Sequence, residues 1–159
     1  MPPPVPKNSI AQNKQPNRYV AVLSAESTLG SRDTLADIGA NRMLLEKSYL
    51  YNFVDANADF SKYKVLVLPE ASSYTEQVLE KIKEFANNGG KIIAAGKALV
   101  HNNKFFLDFG CEYKGENEFN PTYFIPEFDT VNGKTEYIMR CDFHKFDMLQ
   151  GEAVAYMQN

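Results

Sequence analysis

The segment from Tyr63 to Gly96 constrains the fold more than any other part of the chain. It contains a continuous apolar run, Val65-Leu-Val-Leu68, then a stretch with helical periodicity, and then a second apolar run, Lys91-Ile-Ile-Ala-Ala95. Short apolar runs without alternation are typical of parallel strands that are covered on both faces. Because parallel strands need a crossover connection, the segment predicts a β-α-β unit and an α/β fold with two buried strands.

The helix of this unit has a recognisable start and end. Thr75 is a good N-cap residue, and Glu76 places a carboxylate in the first turn, where the helix dipole favours it. One stripe of the predicted helix is apolar and consists of Val78, Leu79, Ile82, Phe85 and Ala86. The helix should end within Asn87-Asn-Gly-Gly90, because glycine adopts the left-handed conformation of helix C-termini without steric cost.

The residues before this unit predict two further strands and one helix. Tyr19 to Leu23 reads as the first strand, Ser24 to Ser31 as a polar loop, and Leu50 to Val54 as the second strand. Between them, a helix capped by Asp33 is expected to run to about Lys47. Its apolar stripe consists of Leu35, Ile38 and Leu45. Together these elements predict a flavodoxin-like, doubly wound, mostly parallel sheet.

The two ends of the chain are predicted to differ from this central part. Residues 1–17 hold five of the eight prolines and few large apolar groups, which is typical of a disordered linker or tail, so the domain is expected to span residues 18–159. Beyond Gly96, Ala98 to Gly110 is expected to form a short helix. A strand-rich extension should follow, with strands at Tyr123–Ile125, Glu136–Met139 and Glu152–Met157.

Charge and composition argue against several classes of function. A formal net charge of -3, with acidic and basic residues interspersed, offers no basic face for a nucleic acid. No apolar run approaches the roughly 20 residues needed to cross a membrane. Cys111 and Cys141 are too far apart for a Cys-x-x-Cys motif, and Asp142-x-His144 is only half of a metal-ligand set. The sequence therefore predicts neither a metal nor a cofactor.

The best candidates for a binding site are residues that follow the predicted parallel strands. Ligands of open parallel sheets bind at the carboxyl ends of the strands. The candidate residues at those ends are Glu26, Asp55, Glu70, Gly96 and Lys97. Carboxylates beside a lysine suit hydroxyl recognition or acid-base chemistry, although such positions are also ordinary polar loop residues in any α/β sheet.

Several phrases in the central segment resemble a known group of proteins. They are Tyr63-Lys-Val-Leu-Val-Leu-Pro-Glu70, Thr75-Glu-Gln-Val-Leu-Glu-Lys-Ile-Lys-Glu-Phe85, Asn88-Gly-Gly-Lys-Ile-Ile-Ala-Ala-Gly96 and the C-terminal Gly151-Glu-Ala-Val-Ala-Tyr156. In this order they are similar to the middle, or trimerisation, domain of family 42 β-galactosidases, within the class I glutamine-amidotransferase-like superfamily. The resemblance implies a homo-oligomeric parent glycosidase whose other domains are the partners of this one.

The same resemblance implies that this domain is not catalytic. In the catalytic branches of the superfamily a cysteine follows the strand that matches Lys91 to Ala95, and here that place is taken by Gly96 or Lys97. The leading hypothesis is thus a non-catalytic accessory domain of a glycoside hydrolase. Two alternatives stay open: a cysteine-dependent hydrolase that pairs Cys111 with His101 or His144, and a module that binds a sugar or another small molecule.

The C-terminal third is rich in aromatic residues, which have two interpretations. Aromatic faces with polar edges hold carbohydrates, but aromatics spread through short strands are more often core or interface residues. The residues in question are Phe105, Phe106, Phe109, Tyr113, Phe119, Tyr123, Phe124 and Phe128. Their spacing favours the core and interface interpretation.

Overall fold

A computed structural model describes residues 19–29, 35–70, 74–131, 133 and 135–158. The helices are α1 (Ala25–Leu29), α2 (Leu35–Glu46) and α3 (Glu76–Asn87), with a 3-10 turn at Phe60–Lys62. The first strands are β1 (Val20–Leu23), β2 (Tyr51–Val54), β3 (Val65–Leu68), β4 (Lys91–Ala94), β5 (Val100–His101) and β6 (Lys104–Phe105). They are followed by β7 (Cys111–Glu116), β8 (Thr122–Pro126), β9 (Tyr137–Met139), β10 (His144–Met148) and β11 (Ala155–Gln158).

A four-stranded parallel sheet forms the first half of the domain. Its strand order is β2-β1-β3-β4, and every neighbouring pair is parallel. The predicted β-α-β unit is confirmed, because α3 connects β3 to its neighbour β4. The Thr75 side chain caps α3 by accepting the Val78 N–H at 3.4 Å, and Gly89 takes a φ of 86° just after the helix. The chain is therefore an α/β protein with a parallel sheet.

The two faces of this sheet are covered to different extents. On one face, Val78, Ile82 and Phe85 of α3 pack on Leu66 and Leu68 of β3, and all five side chains are buried. On the other face, the smaller cluster of Val22, Val67 and Ala40 brings α2 against the sheet. Burial of a side chain the size of Leu or Ile contributes about 1.5–3 kcal/mol to stability. The α3 face has more buried apolar side chains than the α2 face, so it contains most of the apolar core.

The side of α2 that packs on the sheet is not the one that the sequence predicted. Leu35, Ile38 and Leu45 form the expected stripe, but they are 77%, 42% and 58% exposed. The opposite side of the helix, with Ala40 and Leu44, packs on the sheet instead. The small side chain of Ala40, which is only 4% exposed, allows a close approach between helix and strands. The stripe predicted to face the core thus faces outward.

Strand β4 also differs from its prediction as a buried strand. It is one of the two edge strands of the described sheet, and its residues alternate between exposed and half-buried. The register aligns Phe53, Val22, Val67 and Ile93 in one row across the α2 face. The middle two are buried, whereas Phe53 is 42% and Ile93 is 56% exposed. Within the described residues, a single helix covers only the centre of this face.

The expected helix at Ala98 to Gly110 is wrong, because this segment forms the β5-β6 hairpin. Asn102 and Asn103 have φ values of 49° and 60°, the positive values of a two-residue turn between His101 and Lys104. Asparagine tolerates this conformation, which is why it favours such hairpins. Another difference concerns the loop after β1, which contains the short helix α1.

The strand-rich C-terminal extension is confirmed, and it is antiparallel. One sheet pairs β7 with β10, and another has the order β11-β8-β9. The three predicted strands correspond to β8, β9 and β11, whereas the sequence analysis missed β7 and β10. The proposed tail at residues 1–17 and the Asp33 cap lie outside the described residues.

Candidate functional site

A polar cluster lies where the parallel sheet meets the β7-β10 sheet. Glu70 follows the carboxyl end of β3, and its Oε1 atom is in short hydrogen-bond contact with His144 Nε2. The other ring nitrogen, His144 Nδ1, lies 3.2 Å from the Tyr113 hydroxyl. The tautomer with its proton on Nε2 satisfies both contacts, because it donates to Glu70 and accepts from Tyr113. The His144 side chain is only 6% exposed, whereas that of Glu70 is 43% exposed.

Gly96 makes room for this carboxylate. Its φ is 52°, and a Cβ atom built at this position would lie 2.5 Å from Glu70 Cδ and 2.5 Å from Glu70 Oε1. Real Cβ contacts are not this short, so the Glu70 carboxylate fills the space that a side chain at residue 96 would need. The turn after β4 is thus occupied by an acidic group from β3, and residue 96 itself carries no reactive side chain.

Lys97 and Glu116 form the exposed rim of the cluster. Lys97 Nζ and Glu116 Oε1 are 3.1 Å apart, and both side chains are about half exposed or more. The hydrogen bond and charge of Lys97 lower the pKa of Glu116. In turn, the pKa of Lys97 is raised, first by its hydrogen bond to Glu116 and to a smaller extent by the charge of Glu70. Exposed pairs of this kind contribute little to stability, so the rim is available for interactions with a ligand.

The structure brings together three of the five predicted site residues, namely Glu70, Gly96 and Lys97. Asp55 is exposed and uses its Oδ1 to accept the Asn57 N–H at 2.8 Å, which is a local turn contact. Glu26 is exposed in the first turn of α1. In the described part of the chain, neither Asp55 nor Glu26 forms a hydrogen bond or ion pair with Glu70.

A carboxylate that the sequence analysis did not name accepts hydrogen bonds from the residues that follow β1. Asp37 of α2 accepts hydrogen bonds from the Ser24 hydroxyl at 2.7 Å, from the Ala25 N–H at 2.8 Å and from the Glu26 N–H at 3.3 Å. The carboxylate therefore satisfies the first N–H groups of α1 and ties α1 to α2. The only sequence signal for this role of Asp37 is its position in the first turn of a predicted helix.

The geometry does not support the Cys111–His144 form of the cysteine alternative. Cys111 pairs with Met148 and His144 with Glu116, so Cys111 and His144 lie at opposite ends of the β7-β10 ladder. Five residues along a strand correspond to about 17 Å. Burial, with a smaller contribution from Asp108, raises the pKa of the Cys111 thiol, which is the opposite of an activated thiolate.

The described residues lack the features of a metal site and of a membrane-spanning helix. They contain no group of three or more His, Cys, Asp or Glu side chains that could hold a metal ion, so Asp142 and His144 remain an incomplete set. None of the helices that the structure describes has the length and apolarity required to cross a membrane. Both cysteines are free.

The C-terminal aromatics form a connected group beside the polar cluster. Phe109 contacts Phe105, Phe105 stacks on Phe146 with ring centroids 5.9 Å apart, and Phe146 contacts Tyr113 at the same distance. These rings join the β5-β6 hairpin to the β7-β10 sheet, in agreement with a packing role. Phe146 is nevertheless 39% exposed.

Comparison with protein families gives one match. Residues 42–107 match the family described as the β-galactosidase trimerisation domain. This range includes β2, β3, α3 and β4, and it therefore covers most of the parallel sheet. No curated protein matches the chain.

Comparison with solved structures gives matches over most of the chain. An α-L-fucosidase isoenzyme 2 from Paenibacillus thiaminolyticus is 31% identical over 87% of the chain, with a TM-score of 0.81. A cold-adapted β-galactosidase from Rahnella sp. R3 is 15% identical over 89% of the chain, with a TM-score of 0.66. A β-galactosidase from Bacillus circulans sp. alkalophilus is 14% identical over 89%, with a TM-score of 0.64.

The chain spans only about a quarter of each of these enzymes, namely 23%, 25% and 25% of their lengths. The two β-galactosidases are related in fold alone at this level of identity, whereas the α-L-fucosidase shares both fold and sequence. These matches agree with the phrases in the central segment and with a turn after β4 that carries no nucleophile. The chain is thus similar, over most of its length, to one part of each of these larger glycoside hydrolases, and its central segment matches a trimerisation-domain family.

Proposed function

We propose that this domain holds together the subunits and neighbouring domains of a homo-oligomeric glycoside hydrolase that acts on galactosides or fucosides. The family match names a trimerisation domain, and the similar solved structures are β-galactosidases and an α-L-fucosidase. Residues 18–159 form this single domain, and the parent's catalytic residues are supplied by other parts of the protein. We further assign the fold to the flavodoxin-like type, within the class I glutamine-amidotransferase-like superfamily. The all-parallel strand order β2-β1-β3-β4 supports this assignment.

The observation that carries the proposal is the apolar outer side of α2. Leu35, Ile38 and Leu45 lie within about 80° of one another around the helix axis, because successive residues are about 100° apart. All three are exposed, as are Tyr49 and Leu50, which follow the helix. We refer to these five residues as the α2 surface. Large exposed apolar groups that lie together are typical of interfaces in soluble proteins.

The incomplete cover of the sheet supports the same interpretation. Phe53 and Ile93 occupy the two ends of the cross-strand row beneath α2, and both are partly exposed. An additional element or a second subunit placed beside α2 would remove these groups from water. Burying one Leu- or Ile-sized side chain contributes about 1.5–3 kcal/mol, so a few such residues are enough to drive association.

The proposal can be tested by sedimentation equilibrium of the 159-residue chain and of its Leu45→Glu variant. The chain is expected to associate as its concentration rises. The variant should associate at least ten-fold more weakly, because a carboxylate cannot be buried in an apolar contact without a partner. Gln77→Glu is the matched control, since it adds the same charge at an exposed position of α3.

Two results would contradict the proposal. One is a chain that stays monomeric at every concentration reached, and the other is equal association of Leu45→Glu and the parent chain. Gln77→Glu should associate as the unmodified chain does. If it weakened association as much as Leu45→Glu, the added charge rather than the apolar contact would be responsible.

A further inference from the structure

We propose that Glu70 and Lys97 form a binding site for adjacent hydroxyl groups of a saccharide, at the carboxyl edge of the parallel sheet. The choice of a saccharide as the ligand rests on the proposed function, because a glycoside hydrolase handles such molecules. The site itself is argued from the polar groups that the structure leaves available, from their rigid support and from the aromatic ring beside them.

Glu70 provides an available hydrogen-bond acceptor. A carboxylate has room for about four hydrogen bonds, and the Glu70 group uses Oε1 for its contact with His144. Among the described residues, nothing donates to Oε2. The Glu70 side chain as a whole is 43% exposed.

Lys97 provides available donors close by. Its ammonium group has three N–H donors, and one is used in the 3.1 Å contact with Glu116. The Lys97 side chain is 48% exposed. Lys97 directly follows Gly96, the residue against which the Glu70 carboxylate lies. An acceptor and a donor side by side match two neighbouring hydroxyl groups, since a hydroxyl both donates and accepts.

The carboxylate is held in place before any ligand arrives. His144 is almost fully buried and is itself held by the Tyr113 hydroxyl, so it fixes one oxygen of Glu70. The Gly96 backbone closes on the carboxylate from the other side. A ligand therefore does not have to restrict the Glu70 rotamers, which lowers the free energy cost of binding.

The surroundings favour a saccharide over an ion. The described residues contain no group of three or more His, Cys, Asp or Glu side chains that is placed to hold a metal ion. The negative charges of Glu70 and Glu116 disfavour an anion. Tyr113 connects the cluster to Phe146, an aromatic residue that is 39% exposed and can offer an apolar face to the C–H groups of a sugar ring.

The test is a titration of the isotope-labelled 159-residue chain, followed by the chemical shifts of its backbone amides in NMR spectra. The probes are methyl β-D-galactopyranoside and methyl α-L-fucopyranoside, each added to about 100 mM, a range suited to weak millimolar binding. Glycine betaine at the same concentration is the solvent control, because it has no hydroxyl group. Shifts are expected at Glu70, Gly96 and Lys97 with at least one sugar.

Three variants make the test specific. Glu70→Gln should weaken the affinity at least ten-fold, and Lys97→Met should do the same while it leaves the Glu70–His144 contact intact. Lys97→Met decides the question if Glu70→Gln does not fold. Asp55→Asn removes another strand-end carboxylate outside the cluster and should bind like the unmodified chain.

The proposal is overturned if neither sugar shifts these amides more than glycine betaine does. It is also overturned if Lys97→Met and a folded Glu70→Gln bind as tightly as the unmodified chain. Association of the chains is measured separately by sedimentation. An absence of sugar binding would therefore not contradict the proposed role of the α2 surface in assembly. Conversely, loss of association in Leu45→Glu with normal sugar shifts would separate the two functions.

Discussion

Replacement of Gly96 by alanine tests whether the Glu70 carboxylate really occupies the space at this turn. Two costs are expected. An L-residue at the observed φ of 52° costs about 1–2 kcal/mol. In addition, the new Cβ would have to displace a carboxylate that lies 2.5 Å away, and this breaks the contact with the buried His144. Leaving a buried polar group without its partner costs about 1–3 kcal/mol. Gly96→Ala should therefore destabilise the domain by about 2–5 kcal/mol, the sum of these two ranges.

Gly89 offers a matched control for the backbone cost alone. Its φ is also positive, at 86°, but a Cβ atom there would meet nothing within 4 Å. Gly89→Ala should therefore cost only about 1–2 kcal/mol. The free energy of unfolding can be measured by urea denaturation followed by far-UV circular dichroism, since the chain has no tryptophan for fluorescence.

A double-mutant cycle with Glu70→Ala gives the decisive comparison. Once the Glu70 side chain is removed, Gly96→Ala should cost only the backbone term of about 1–2 kcal/mol. The reasoning is refuted if Gly96→Ala costs no more than Gly89→Ala. It is refuted equally if the cost of Gly96→Ala is the same with and without Glu70.

Three further predictions concern the core, the cysteines and the rim of the cluster. Ile82→Ala should lower the free energy of unfolding by about 2–5 kcal/mol in the same urea assay, because Ile82 is fully buried against the sheet. In a thiol-reagent time course on the folded chain, Cys141 should react well before Cys111, because Cys141 is exposed and burial raises the pKa of Cys111; simultaneous reaction would contradict this. Lys97 lowers the pKa of Glu116, so the pair stabilises the fold above the ordinary pKa of a glutamate, and this stabilisation is lost as the pH falls through the lowered pKa. Glu116→Gln should therefore be less stable than the unmodified chain near pH 7, with a difference that vanishes in acid; a constant difference at all pH values would show that the charge is not responsible.

The candidate site shows how far sequence reasoning reaches. Glu70, Gly96 and Lys97 could be named because each follows a recognisable parallel strand, and strand ends of one parallel sheet meet at one edge. Their partners could not be named. His144 lies 74 residues after Glu70, and it reaches the cluster only through the pairing of β10 with β7. The sequence analysis predicted neither strand, so Tyr113 and Glu116 were not placed beside Glu70.

The sequence by itself determined the central β-α-β unit of this protein. The signals agree with one another: the apolar runs without alternation favour strands, and the capping threonine and the glycine pair favour a helix between them. All of these signals act on local structure. Only the tertiary structure decided which side of α2 is buried. The helix has apolar residues on both sides, Ala40 and Leu44 on one and Leu35, Ile38 and Leu45 on the other, so its periodicity does not select a face. The sheet selects the side with the small Ala40, because close packing needs a small side chain there, and Leu35, Ile38 and Leu45 are left facing outward.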